Sequence, residues 1–194
     1  MATAFAPGKC ILFGEHAVVY GHPAVAVAID AGVEVKLETS DKWEIKNDHY
    51  SNNFEEFQAS KNPHIQHIIR NIFDYNGLPL KIKIKSNLFS SAGLGSSAAL
   101  SNAMGAALHQ LINPDDEINL IKLAKIGHSA EASAQEGRAS PTDSATSSLG
   151  GCVVVSGEKD EHLNHVFDTS LITPEGNREW SIHSVELHEN IKDS

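Results

Sequence analysis

Apolar and polar positions alternate in two places along the chain. Val33, Val35 and Leu37 are separated by Glu34, Lys36 and Glu38, and Ile82 and Ile84 by Lys81, Lys83 and Lys85. A period of two predicts half-buried strands. Residues 24–29 are small and apolar without a break, which suits a strand covered on both faces. Residues 9–20 are two apolar runs parted by Gly14-Glu15-His16. Residues 43–46 and 152–155 read as further strands, and Gly21-His22-Pro23 and Leu149-Gly150-Gly151 as turns.

Elsewhere the period lengthens to that of a helix. Ile65, Ile68, Ile69, Ile72 and Phe73 share one face, with Asn62 as cap, Pro63 in the first turn and Gly77 placed to end the segment. Leu100, Met104, Leu108 and Leu111 stripe a second helix. Asn113-Pro114-Asp115-Asp116 is expected to open a third, whose inner face runs Leu120, Leu123, Ala124, Gly127 and then, four residues on, Glu131. Strands come first and then interleave with helices, so the class expected is α+β with a mixed sheet.

The alternating strand at 81–85 leads into S-N-L-F-S-S-A-G-L-G-S-S-A, residues 86–98, and then into the second helix. A strand, a small-residue loop and a helix start form an arrangement that binds phosphate, because glycine backbone can turn bare amides toward an anion at the positive end of the helix. The loop lacks the Lys of a G-x-x-x-x-G-K-[ST] loop. Gly93 to Ala98 satisfies G-x-G-x-x-A, which keeps a dinucleotide site open, with Asp115 or Asp116 as the acidic partner. A flexible turn is the plain alternative.

Other residues stand out by position. A carboxylate on an apolar stripe needs a cation, a metal or water, or else the helix turns Glu131 to solvent. Asp143 lies in an irregular stretch of small polar residues, as an acceptor for its own turn or as a general base. Lys9 precedes a buried-looking strand; it reaches solvent, or it holds a phosphate. Glu15-His16 is a turn pair or a substrate-binding pair. His64-x-x-His67 and His162-x-x-His165 have metal-like spacing but no evident third ligand, and carry no metal expectation.

Composition narrows the setting. The 194 residues carry a net charge of −10, which disfavours a nucleic-acid surface. The balance is uneven: residues 158–194 hold 9 acidic and 3 basic side chains. Two domains of the sequence are therefore distinguished, 1–157 as a folded unit and 158–194 as an acidic tail or, from about Trp180, the start of a truncated C-terminal domain. Cys10 and Cys152 are the only cysteines, so no disulfide framework or cysteine metal site is expected. Cys10 reads as a small buried residue. Residues 1–8 lack a basic start and a long apolar run, and no stretch is long enough to span a membrane, so a cytoplasmic setting is expected.

Three segments, in order, resemble the GHMP kinases. Ala6-Pro7-Gly8-Lys9 followed by G-E-H-A-V-V-Y-G at 14–21 resembles their first motif, and A-G-L-G-S-S-A-A at 92–99 their second. The G-E-H-A-V-V-x-G form is similar to the mevalonate kinase branch of archaeal type, as is the run from Glu131 through residues 139–143 to Gly150-Gly151. This resemblance implies a ribosomal protein S5 domain 2-like N-terminal domain, a mixed sheet with helices on one side. It also implies ATP-dependent phosphorylation of the mevalonate 5-hydroxyl, and it removes the dinucleotide reading. By motif match, Ser91, Ala92, Gly93, Leu94, Gly95, Ser96 and Ser97 would wrap the ATP phosphates, with Ser86 near the nucleotide. Ser97 and Glu131 would hold Mg²⁺. Asp143 would be the base with Lys9 beside it, and Glu15 and His16 would face mevalonate.

The chain departs from the pattern in three ways. Residues 89–91 are Phe-Ser-Ser where the family loop often begins Pro-Pro-Gly. A longer spacing to Asp143 makes Glu136 a competing metal ligand. The third glycine-rich motif and the ferredoxin-like C-terminal domain of the family do not follow residue 155. The expectations are thus a truncated or split kinase, another kinase of the family acting on phosphomevalonate or homoserine, or an incomplete nucleotide-binding fragment. Its partners would be ATP and mevalonate, and either a second copy in a homodimer or a separate C-terminal half.

Overall fold

The structure is a computed structural model describing residues 1–15, 23–48, 51, 53–89, 92–135 and 139–155, together with the backbone of 156, 166–167 and 180–185. In chain order it runs β1 (Ala2–Phe13), β2 (Ala24–Thr39), β3 (Glu44–Asn47), β4 (Glu55–Glu56), α1 (Pro63–His67), β5 (Leu80–Ser86), α2 (Ser96–Ile112), α3 (Leu120–Ala134), α4 (Pro141–Leu149), β6 (Cys152–Ser156), β7 (Val166–Phe167) and β8 (Trp180–Val185). The strands form one mixed sheet in the order β4-β3-β5-β2-β6-β8-β7, with β1 also paired to β2. Among the described residues β3 and β5 pair in parallel and the other pairs are antiparallel.

β2 joins the two strands expected at 24–29 and 33–37 into one long element. Its first part pairs with β6 and its second with β5. Val33, Val35 and Leu37 on β2 and Leu80, Ile82 and Ile84 on β5 turn inward as the alternation predicts. They pack under Ile65, Ile68 and Ile69 and under Met104 and Leu108 of α2. A second, smaller cluster of Ala24, Ala124, Ala145, Val153 and Val155 lies beneath α3 and α4. Small side chains there let those helices close down near β1, which is where the chemistry gathers. β8 pairs with β6 and lengthens the sheet within the stretch read from sequence as an acidic tail.

Several local expectations are corrected. α1 passes at Ile68 into a π-helical turn through Ile72. Asn62 occupies the cap position, but its side chain donates to the Gln58 carbonyl instead of capping the helix. The chain leaves that helix through Asp74, at φ +43°, before Gly77 is reached. α3 begins six residues later than Asn113-Pro114 suggested. Asn113 closes α2, and Asn119 accepts from the Lys122 amide at 3.0 Å to open α3. Leu120 consequently sits at the first turn and is exposed. Cys10 is exposed and Cys152 buried, because a register shift between Pro7 and Lys9 turns Gly8 and Lys9 inward in place of Cys10.

Candidate active site

The site forms where the second glycine loop crosses β1. Gly95 takes φ +70° and ψ 33° as the cap of α2, a left-handed conformation that a side chain resists. A Cβ there would also stand 3.0 Å from Lys9 Cγ and 3.8 Å from Asp143 Oδ2, so the loop lies directly over that pair. Gly93 shares the φ of +70° but faces open space. The Lys9 amide donates to the Leu94 carbonyl at 2.9 Å, which ties the loop to β1. The α2 N-terminus beyond it carries the first-turn amides of Ser96 and Ser97, donors of the kind suited to an anion.

Lys9 is 7% exposed. It does not reach out to solvent: its Nζ lies 3.2 Å from Asp143 Oδ1. Asp143 is in the first turn of a helix, not in an irregular loop. Ser140 caps α4 by accepting from the Thr142 amide, and Pro141 occupies its first turn. That Ser-Pro pair was the sequence signal for a helix start. Burial pushes the Asp143 carboxyl above its ordinary value; Lys9 opposes this, and the charge of Glu15 adds to it.

Glu131 is 4% exposed, as its place on the inner face of α3 requires. Its Oε1 accepts from Ser97 Oγ of α2. Its Oε2 accepts from Ser144 Oγ of α4 at 3.2 Å. Burial raises its pKa to about 7, the Ser97 bond working against that and the Asp143 charge with it. Among the described residues, the buried Glu131 and the half-buried Asp143 both feel the charge of Lys9. The local charge is negative, and the donors beside it are a hydroxyl and a carboxylate oxygen. Hard oxygen ligands with uncompensated charge fit Mg²⁺, which takes few protein ligands and completes its shell with phosphate and water. Among the described residues no three His, Cys, Asp or Glu side chains converge as a metal cluster.

The structure thus brings Lys9, Gly95, Ser97, Glu131 and Asp143 together, with Ala92, Gly93, Leu94 and Ser96 in the loop beside them. Ser86 ends β5, and its Oγ accepts from the Leu88 amide at 3.2 Å, so it shapes the turn into the loop. Glu15 is exposed, just past Gly14. His16, Ser91 and Glu136 lie outside the described residues. Sequence reading passed over Asn102 and Ser144. Asn102 is fully buried, and its Nδ2 donates to the Ser144 carbonyl at 2.8 Å. Asn102 lies on the small-residue side of α2, away from the Leu100–Leu111 stripe, so periodicity offered no signal for it. Its room comes from Gly127, where a Cβ would fall 2.0 Å from Asn102 Oδ1.

The family model for the GHMP kinases N terminal domain matches residues 63–151. The mevalonate kinase of Pyrococcus abyssi is 33% identical over 185 residues, covering 86% of this chain and 54% of that protein. The mevalonate kinase of Methanocaldococcus jannaschii is 34% identical over 190 residues, covering 85% and 57%. The crystal structure of the Methanococcus jannaschii mevalonate kinase superimposes with a TM-score of 0.69 at 29% identity, over 84% of this chain and 58% of that one. The Streptococcus pneumoniae phosphomevalonate kinase, at 19% identity and a TM-score of 0.73, shares the fold. The chain spans about half the length of the curated relatives it matches. Sheet, loop, helix order and sequence similarity agree, and the chain belongs to the GHMP kinase family.

Proposed function

We propose that this chain provides the nucleotide- and substrate-binding half of a mevalonate kinase, which transfers the γ-phosphoryl group of ATP to the 5-hydroxyl of mevalonate. The observation that carries the reading is the pairing of buried Lys9 with half-buried Asp143 under the glycine loop at the N-terminus of α2. Identity to mevalonate kinases supports the acceptor. A cytoplasmic setting goes with that reading; no helix among the described residues is long and apolar enough to cross a membrane.

Phosphoryl transfer asks for positioning and charge neutralisation more than for covalent chemistry. The amides of 92–97 and the positive end of α2 would cradle the phosphates, with Ser91 continuing the loop and Ser86 bracing its entry. Asp143 would accept the hydroxyl proton or orient the hydroxyl toward phosphorus. Its raised pKa makes it a better proton acceptor than an exposed Asp. Lys9 would keep Asp143 ionised and meet charge growing on the transferred group. Ser97 Oγ and Glu131 would hold Mg²⁺, which when bound offsets the charge of the phosphate oxygens. Glu15 and His16 would face the acceptor.

The test is a coupled assay with ATP, Mg²⁺ and mevalonate, run beside calorimetric ATP binding. Asp143→Asn is expected to lower turnover by about 10²–10⁴-fold while ATP still binds. Undiminished turnover in that variant would remove Asp143 from the chemistry. ATP binding without any turnover by the unsubstituted chain would favour the incomplete fragment, which needs a separate C-terminal half.

A further inference from the structure

Glu131 is held from both sides, by two helices that differ in what they carry. Ser97, half-buried at the start of α2, takes Oε1 on the side of the glycine loop. Ser144, fully buried in α4, takes Oε2 on the inner side. The Ser144 carbonyl in turn accepts from Asn102 Nδ2, which stands on α2 about one and a half turns beyond Ser97. The contacts close a ring through α2, α3, α4 and back to α2.

A helical serine has an easier partner within its own helix, the carbonyl four residues earlier. Thr146, two positions on in the same helix, takes that option and donates to the Thr142 carbonyl at 2.7 Å. Ser144 instead spends its proton on a carboxylate from another helix. A donor fixed on the inner oxygen stops the carboxylate from rotating and leaves Oε1 toward the loop. It also satisfies a buried lone pair that would otherwise be costly. Asp143 and Ser144 are neighbours on one helical turn, so the same piece of backbone aims Asp143 at Lys9 and braces Glu131. Asn102 fixes that turn. It fits only because Gly127 has no side chain where α3 passes α2.

We propose that Ser144 is a positioning residue which orients Glu131 for metal-bound ATP, and that Asn102 supports it by anchoring the Ser144 turn of α4. This rests on the kinase reading above. The residues that support metal ligands typically change metal affinity by tenfold or more when removed. The closing experiment is calorimetric ATP binding to the full chain, with Mg²⁺ varied and with Mg²⁺ chelated. In Ser144→Ala, the Mg²⁺ concentration needed for half of the enhancement should rise about tenfold. ATP binding in chelator should stay within about twofold of the unsubstituted chain. Asn102→Ala should move the Mg²⁺ requirement the same way by less.

An unchanged Mg²⁺ requirement in Ser144→Ala overturns the inference while leaving the kinase reading intact. So does an equal loss of affinity with and without metal, which would mark Ser144 as packing alone. If the unsubstituted chain binds ATP no better with Mg²⁺ than without, the kinase reading fails, and the inference with it.

Discussion

Two lysine–carboxylate pairs, each with its lysine on the same sheet, behave in opposite ways. Lys36 and Glu38 meet at 2.8 Å on the outer face of β2, and Lys9 and Asp143 at 3.2 Å beneath the glycine loop. The shorter pair is the less consequential. Hydrogen bonding to Lys36 lowers the Glu38 pKa, the usual response of a carboxylate to a cation in water. At Asp143 burial outweighs Lys9, and the pKa rises in spite of the cation. Separation alone does not rank ion pairs. What differs is how much water each pair has lost and how many other charges share the space. The outer pair is solvated, whereas the inner lysine must answer to Asp143 and to Glu131 as well.

The largest effect that would test this contrast is removal of the inner cation. Lys9→Met keeps most of the side-chain volume but takes the neighbouring cation away from the half-buried Asp143 and the buried Glu131. Breaking a buried pair this way costs about 4 kcal/mol. The Asp143 carboxyl, already raised, would rise further. A group with a raised folded pKa loses its stabilising contribution as pH climbs through that value. The Lys9→Met deficit should therefore be greatest near pH 8 and shrink toward pH 4, where Asp143 takes up a proton. Urea melts at several pH values measure it. A deficit that does not vary with pH would mean that Lys9 acts through packing.

A somewhat smaller effect belongs to Glu131, whose folded pKa of about 7 lies above its unfolded value. Its contribution is fully favourable below the unfolded value of about 4.3 and is lost as pH rises through about 7. With metal chelated, Glu131→Gln should thus be more stable than the unsubstituted chain at pH 8, by about 3 kcal/mol at most, and equal to it near pH 4. Gln can still accept from Ser97 and pair with Ser144, so the hydrogen bonds survive and the charge alone is removed. A variant less stable than the parent at pH 8 would show that Lys9 compensates Glu131 fully.

These residues also show how far the sequence could be read. Glu131 was legible because the helical stripe from Leu123 to Gly127 lands on it, and a carboxylate there demands an explanation. The loop was legible from its glycines between a strand and an apolar helix. The pairing of Lys9 with Asp143 was not, since residues 134 apart in sequence meet only through the crossing of β1 and α4. Asp143 itself was placed on a loop because its neighbours are small and polar. Ser140 and Pro141 carried a helix start that the lack of large apolar residues hid; α4 buries Thr142, Ser144, Ala145 and Thr146 instead. Asn113-Pro114 misled for the converse reason. A Pro-Asp turn after a finished helix looks like the cap of the next one, and only Asn119 makes the capping bond.

The smallest effect is predicted on the outer face. Lys36→Ala should leave the melting temperature within error of the unsubstituted chain, and added salt should not alter the difference. Glu38 is exposed enough that water replaces the lost partner, and Lys81 across the β2–β5 pairing also lowers its pKa. Exposed pairs give back in side-chain ordering most of what they gain in attraction. Lys36 also lies opposite Lys83 on β5 and Thr3 on β1, so its removal relieves a like-charge neighbour at the same time. A drop in melting temperature comparable to that of Lys9→Met would break the comparison. It would mean that the outer charges work as a connected array across β2 and β5, and that burial is not what separates the two pairs.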